Sequence, residues 1–138
     1  MTETTPFLMF CGPHRGQAEE AITFYVSLLK NSQIIAIDRY GANEHEPEGT
    51  VRLARFTLAE HEYMAIDSAA EHNFTFTPAF SIFVTCESET ELGQLYEALS
   101  AGGGVLMPLD NYGFSRKFGW VNDRYGVSWQ LLYFSKLI

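Results

Sequence analysis

The chain is poor in the residues that mark several large functional classes. It has two cysteines, Cys11 and Cys86, in 138 residues, too few for a disulfide framework, and a reducing compartment would hold both as thiols. Each ends an expected strand, where a free cysteine serves as a small buried hydrophobe. Basic residues are scarce: 9 Lys and Arg against 17 Asp and Glu leave a net charge of −8. That balance speaks against a broad nucleic-acid surface, which needs clustered cations, and against an anionic membrane face. No apolar run approaches the length of a membrane span, and residues 1–11 have neither the basic start nor the long apolar run of a signal peptide. The expectation is a cytoplasmic protein with no nucleic-acid or membrane partner.

Familiar catalytic signatures are missing too. His14, His45, His61 and His72 fall in expected loops or turns, with no i,i+4 pair and no His-Glu-x-x-His pattern. No Gly-x-Ser-x-Gly elbow occurs, so hydrolase chemistry has no support. The glycine run Gly102–Gly104 follows a helix instead of opening one, which makes it a cap and turn, not a phosphate cradle. A glycine-rich strand-to-helix turn of the doubly wound type is absent, which counts against a methyltransferase of that architecture.

What is present suits one globular domain. Hydrophobic residues make up 46% of the chain and charged residues 19%, a balance that is neither disordered nor fibrous. Aromatics reach 14%; they fill a core, and a ring-lined cavity would draw on the same residues.

The strongest local signal is the stretch from Lys117 to Tyr133. Asn122, Asp123 and Gly126 are turn formers between aromatic and β-branched runs, which predicts a hairpin of strands 117–122 and 127–134. Alternation puts Ser128, Gln130 and Leu132 on one face and Val127, Trp129, Leu131 and Tyr133 on the other. Upstream, residues 6–11 read as a strand. Residues 17–31 read as a helix on Ala18, Ala21, Ile22, Tyr25, Leu28 and Leu29, with Asn31 as its C-cap. Strands over 33–40, 50–58 and 62–67 follow, the last two joined by the tight Ala59-Glu60-His61 connection. After the irregular 68–78 segment the order repeats. A strand over 79–86 leads to a helix capped by Ser88 with Glu91 at the capping-box position, running on Leu92, Leu95, Tyr96 and Leu99. A strand over 105–109 and the hairpin close the chain. Ala21, Phe24, Tyr25 and Leu28 match Leu92, Leu95, Tyr96 and Leu99 at constant offset, and His61–Asp67 set beside Gly126–Leu132 pairs Ala65 with Gln130. The result is an α+β fold of two βαβββ modules, about 6–67 and 79–134, joined by 68–78 within one domain of 1–138.

With the segments Gln17–Leu29, Tyr96–Gly104 and Gly119–Gln130, the chain resembles the vicinal oxygen chelate superfamily of glyoxalase I, bleomycin-resistance proteins and extradiol dioxygenases, and within it the PhnB-like branch that carries a 3-demethylubiquinone methyltransferase label. The resemblance implies a cup-shaped mixed sheet with helices outside, a small-molecule ligand in the cup, and a homodimer. Metal members take His, Gln or Glu ligands from the first and last strands of each module. The matching positions here are Thr5 or Pro6, Ala65, Phe80 or Ser81, and Gln130. Only Gln130 is of that ligand type, so no metal ligand set and no cofactor are expected. The expected ligand-binding residues are Gln130, Trp120, Phe80, Phe10, Asp67, Tyr112 and Arg116; no catalytic residue stands out. Gln130 would offer amide donors and an acceptor amid aromatic rings, Arg116 beside Lys117 reads as a solvated pair, and His72 is the one histidine whose segment would lie over the cup mouth. The functional expectation is a small-molecule binder, with or without turnover; the alternatives are a metal-dependent lyase, isomerase or dioxygenase, and a sequestering protein of the resistance type.

Overall fold

The first strand, β1 (Phe7–Phe10), is apolar throughout with every second residue buried, and lies beside the strand that ends the first module, β4 (His61–Asp67). In the computed structural model, which describes residues 1–113 and 116–134, the chain divides between Thr75 and Phe76 into two compact units. The first holds β1, the helix α1 (Ala18–Leu28), β2 (Gln33–Arg39), β3 (Val51–Leu58) and β4, in the sheet order β1-β4-β3-β2. β1 and β4 are parallel and the other pairs antiparallel. The second repeats this with β5 (Ser81–Thr85), α2 (Glu89–Ser100), β6 (Gly104–Asn111), β7 (Arg116–Asn122) and β8 (Ser128–Phe134), in the order β5-β8-β7-β6. Here too the outer pair, β5 and β8, is parallel. The fold is thus α+β, two βαβββ modules, each with one helix on its own mixed sheet.

In module one, α1 buries Ala18, Ala21, Ile22 and Tyr25 against a face that carries Leu8, Phe10, Ala54, Phe56 and Ala65. Asp67 fixes the helix start. Its carboxylate accepts from Ala18 N at 3.0 Å and Val51 N at 2.9 Å, with the Gly16 N–H as a further donor. These bonds satisfy backbone donors that a helix terminus otherwise leaves open. Burial pushes the Asp67 carboxyl above its ordinary value, against the pull of those N–H groups and with a further push from Glu46.

Module two seats α2 differently. Ser88 caps the helix by accepting from Glu91 N, and Glu91 Oε1 in turn takes Glu87 N. Gly119 lies beneath the helix: a Cβ there would stand 2.8 Å from the Tyr96 ring, so only a glycine admits this approach. Gly119 pairs with Leu131, which puts Leu131 and Trp129 on the helix side and Gln130 on the opposite, helix-free side. In the β7–β8 turn, Gly126 takes φ 86°. Asp123 accepts from Tyr125 N, Val127 N and the Trp129 indole at 2.8, 3.0 and 2.8 Å.

Four details depart from the sequence reading. α1 stops at Leu28 because Leu29 is already extended, and Asn31 sits in the left-handed region (φ 57°) beyond the cap. His61 begins β4 instead of lying in the loop. The β3–β4 connection is a two-residue turn, Ala59 and Glu60, both at positive φ; their N–H groups are held by Ser32 Oγ and Asn31 O. Finally, matching Ala65 with Gln130 shifts the repeat by one residue: Ala65 shares the helix side with Asp67, whereas Gln130 faces away. No helix among the described residues is long and apolar enough to cross a membrane.

Candidate functional site

The helix-free side of the second sheet brings several of the expected site residues together. Register places Ser81 beside Ser128, Phe83 beside Gln130, Trp120 beside Gln130 and Phe118 beside Leu132, so these side chains share one face. A polar chain crosses it. The Trp120 indole donates to Ser128 Oγ at 2.8 Å, the Ser128 and Ser81 hydroxyls lie 2.6 Å apart, and Gln130 Nε2 donates to Ser81 Oγ at 3.2 Å. Indole and amide N–H groups only donate. Each hydroxyl oxygen therefore already accepts once, and the pair needs only one of its two protons for the bond between them. This chain of bonds leaves one hydroxyl proton and Gln130 Oε1 over. Beside Ser128, Asn122 Oδ1 is a buried acceptor with no partner among the described residues, a rare condition that marks a place for a donor.

Next to this polar row lies an aromatic cleft of about 440 Å³ lined by Phe83, Met107, Tyr112, Arg116, Phe118 and Leu132. Phe118 packs between Phe83, at 6.4 Å, and Tyr112, edge-on at 6.0 Å. Phe83 is 54% exposed, an unusual position for a large ring on a sheet and consistent with a binding wall. The Tyr112 hydroxyl is committed, donating to Pro108 O at 2.7 Å.

The structure thus brings Gln130, Trp120, Tyr112 and Arg116 together around one face, and adds Ser81, Ser128, Phe83 and Phe118. Phe80 stands 59% exposed just before β5. Phe10 and Asp67 lie in the core of module one: Phe10 is wholly buried, and Asp67 serves backbone donors. The two serines carry no motif; alternation already set Ser128 on the Gln130 face, but Ser81 joins them only through the register of β5 with β8, which sequence spacing does not reveal. His72 Nε2 lies 3.0 Å from Ser68 Oγ, within module one. Lys117 pairs with Glu89, so it is not the companion of Arg116.

The cysteines are inert. Cys11 is buried with its thiol toward Phe74 O. Burial, with Glu91 nearby, pushes the Cys86 thiol up to about 12, far from the thiolate a nucleophile needs. As to a metal, the helix-free residues of the first and last strands are Phe7, Met9, Glu62, Met64 and Ile66 in module one and Ser81, Phe83, Thr85, Ser128, Gln130 and Leu132 in module two. Glu62 is paired with Arg55; thioethers, rings, hydroxyls and one amide do not make up the three-ligand set of a catalytic divalent ion, and the described residues hold no group of three His, Cys, Asp or Glu side chains suited to one.

Comparison with known proteins agrees with this architecture. The family model for 3-demethylubiquinone-9 3-methyltransferase matches residues 2–132. A PhnB protein from Bacillus cereus is 53% identical with a TM-score of 0.90, over 96% of this chain and 99% of that one. A Pseudomonas aeruginosa protein is 27% identical with a TM-score of 0.79, over 96% and 98%. A glyoxalase/bleomycin resistance protein/dioxygenase from Alicyclobacillus acidocaldarius, 11% identical with a TM-score of 0.52 over 96% and 92%, shares the fold. No curated protein matches. The methyltransferase label thus sits on a pair of mixed four-stranded sheets, not on the doubly wound parallel sheet with a ligand crevice at its switch point. By its family model and its likeness to the PhnB protein together, the chain belongs to the 3-demethylubiquinone-9 3-methyltransferase, PhnB-like family.

Proposed function

We propose that the protein binds a small organic molecule on the helix-free face of module two. The observation that carries this is the polar chain Trp120–Ser128–Ser81–Gln130 set beside an aromatic cleft. A row that served the sheet alone would leave no proton and no acceptor over; this one leaves both, held at fixed positions by neighbours that cannot reverse their roles. Apolar walls with a few oriented polar groups are the usual make-up of a ligand site. The ionisable side chains lining the cleft are Tyr112, whose hydroxyl is committed, and Arg116, whose guanidinium carries donors only. Neither is placed as a general acid or base, which favours holding a ligand over turning it over.

Fragment screening by ¹⁵N correlation spectra tests this reading. Hits should shift the Trp120 indole and Gln130 amide signals together. Gln130→Leu should stay folded, since an apolar side chain needs no partner there, and should weaken those hits by about ten-fold, the scale of one oriented hydrogen bond. Hits that cluster elsewhere, or unfolding of the variant with unchanged affinity in the folded fraction, would assign Gln130 to the sheet alone. A homodimer belongs to the same proposal: Phe7, Leu53, Val105 and Leu106 are each more than a third exposed, apolar surface that pairing across a two-fold axis would cover. Light scattering that gives a monomer mass at micromolar concentration would remove that part.

A further inference from the structure

The geometry points to a particular ligand class for this face: a flat aromatic molecule bearing a carboxylate, anchored by Arg116. The inference rests on the small-molecule reading above and adds the charge. Arg39, Arg52, Arg55 and Lys117 each hold a carboxylate at 2.7–3.0 Å. The Arg116 guanidinium has no hydrogen-bond or ion-pair partner among the described residues. In a chain with 17 acidic residues a surface arginine finds a partner cheaply, as the adjacent Lys117 has done. Arg116 instead lines an aromatic cleft with its planar fork uncommitted, the group best shaped to clamp a carboxylate on two oxygens.

The rest of the cleft fixes the shape. Phe83, Phe118 and Tyr112 offer ring faces and edges, and Met107 and Leu132 an apolar floor. Offset or edge contact with these rings suits a planar ring system. Arg116 lies four residues along β7 from Trp120, which pairs with Gln130, roughly 13 Å at ~3.3 Å per residue. A ligand of that reach meets the guanidinium at one end, Phe118 and Leu132 in the middle, and Gln130 with the spare serine proton at the other. A hydroxyl or amino group opposite the carboxylate would use those polar atoms.

Isothermal titration of the full chain with 2-naphthoate and 2-naphthamide separates charge from shape, since the two share ring and size. The expected result is a carboxylate that binds about ten-fold tighter than the amide, with the advantage cut to about two-fold or less in Arg116→Gln and partly kept in Arg116→Lys. Added salt should weaken the carboxylate alone. Equal affinities, or an advantage that survives Arg116→Gln in a chain shown by circular dichroism to be folded, would overturn the anionic class while small-molecule binding on this face stands. Binding of neither probe at millimolar concentration, with no fragment hits on Trp120 and Gln130, would overturn both.

Discussion

The two modules build the same sheet under one helix, and each buries one aspartate, yet the two carboxylates hold the chain together over different distances. Asp67 gathers N–H groups from 49 and 16 residues away, tying α1 and β3 to the end of β4. Asp123 gathers donors two, four and six residues away and stiffens a single hairpin. One carboxylate staples separate elements; the other pre-forms a local unit whose helix-free side carries the polar row. The helix-free faces differ in step. That of module one bears the exposed Arg55–Glu62 pair beside Met64, and that of module two bears rings, hydroxyls and an arginine with no ion-pair partner among the described residues.

Removing the carboxylates should have the largest effect and divide the two cases kinetically. Asp67→Ala and Asp123→Ala should each cost about 3–4 kcal/mol, because each strands more than one buried donor. Asp123→Ala should chiefly slow folding, since its contacts are local, and Asp67→Ala should chiefly speed unfolding. The reverse partition in stopped-flow measurements would break the comparison. Asp67→Asn adds a pH test. Because burial raises the Asp67 carboxyl, the folded chain holds that proton more tightly than the unfolded one. Its contribution is therefore full below the ordinary value of 3.8 and declines as pH rises through the higher folded value. Denaturant titrations across that window should show the wild type's advantage over Asp67→Asn shrinking with rising pH.

The helix seats come next in size. Module one supports α1 on Ala54 and Ala65, both fully buried, whereas module two brings Tyr96 onto bare backbone at Gly119. Gly119→Ala should cost about 2–3 kcal/mol by overpacking, and much of it should return in the double variant with Tyr96→Ala. Ala54→Gly in module one should cost about 1 kcal/mol through backbone entropy alone. Equal losses in thermal melts would show that the two helices are seated alike.

The hairpin turns supply the smallest contrast. The β7–β8 turn uses glycine at its left-handed position, while β3–β4 places Ala59 and Glu60 there, at φ 48° and 74°. Replacing that pair with Asn-Gly should raise stability by about 1–2 kcal/mol, the cost of holding two ordinary residues left-handed. No gain would mean that the bonds from Ser32 and Asn31 already select the turn.

The helices, the hairpin and the duplicated order were legible because period and turn chemistry are local. Ser88, Tyr96 and Gly126 announce their roles within a few positions. The facing of β4 was not legible. One residue of register decides which side Ala65 takes, and the bulges between Ile34 and Ala36 and between Met107 and Asp110 leave no mark on spacing. Asp123 reads as a turn former and is one, whereas Asp67 gives no local sign that it meets a helix start 49 residues away. Arg116 and Lys117 look like one solvated pair, and only the fold shows that Glu89 reaches the lysine alone.

The chain's two tryptophans lie on opposite faces of one hairpin, which makes them separate optical reporters. Trp129 is fully buried with its indole on the Asp123 carboxylate, so its emission answers to whether the hairpin is folded. Trp120 is half-buried with its indole on Ser128, so its emission answers to what stands over the polar row. Replacing either with phenylalanine isolates the other. Folding and occupancy can then be read as two colours of one unlabelled molecule.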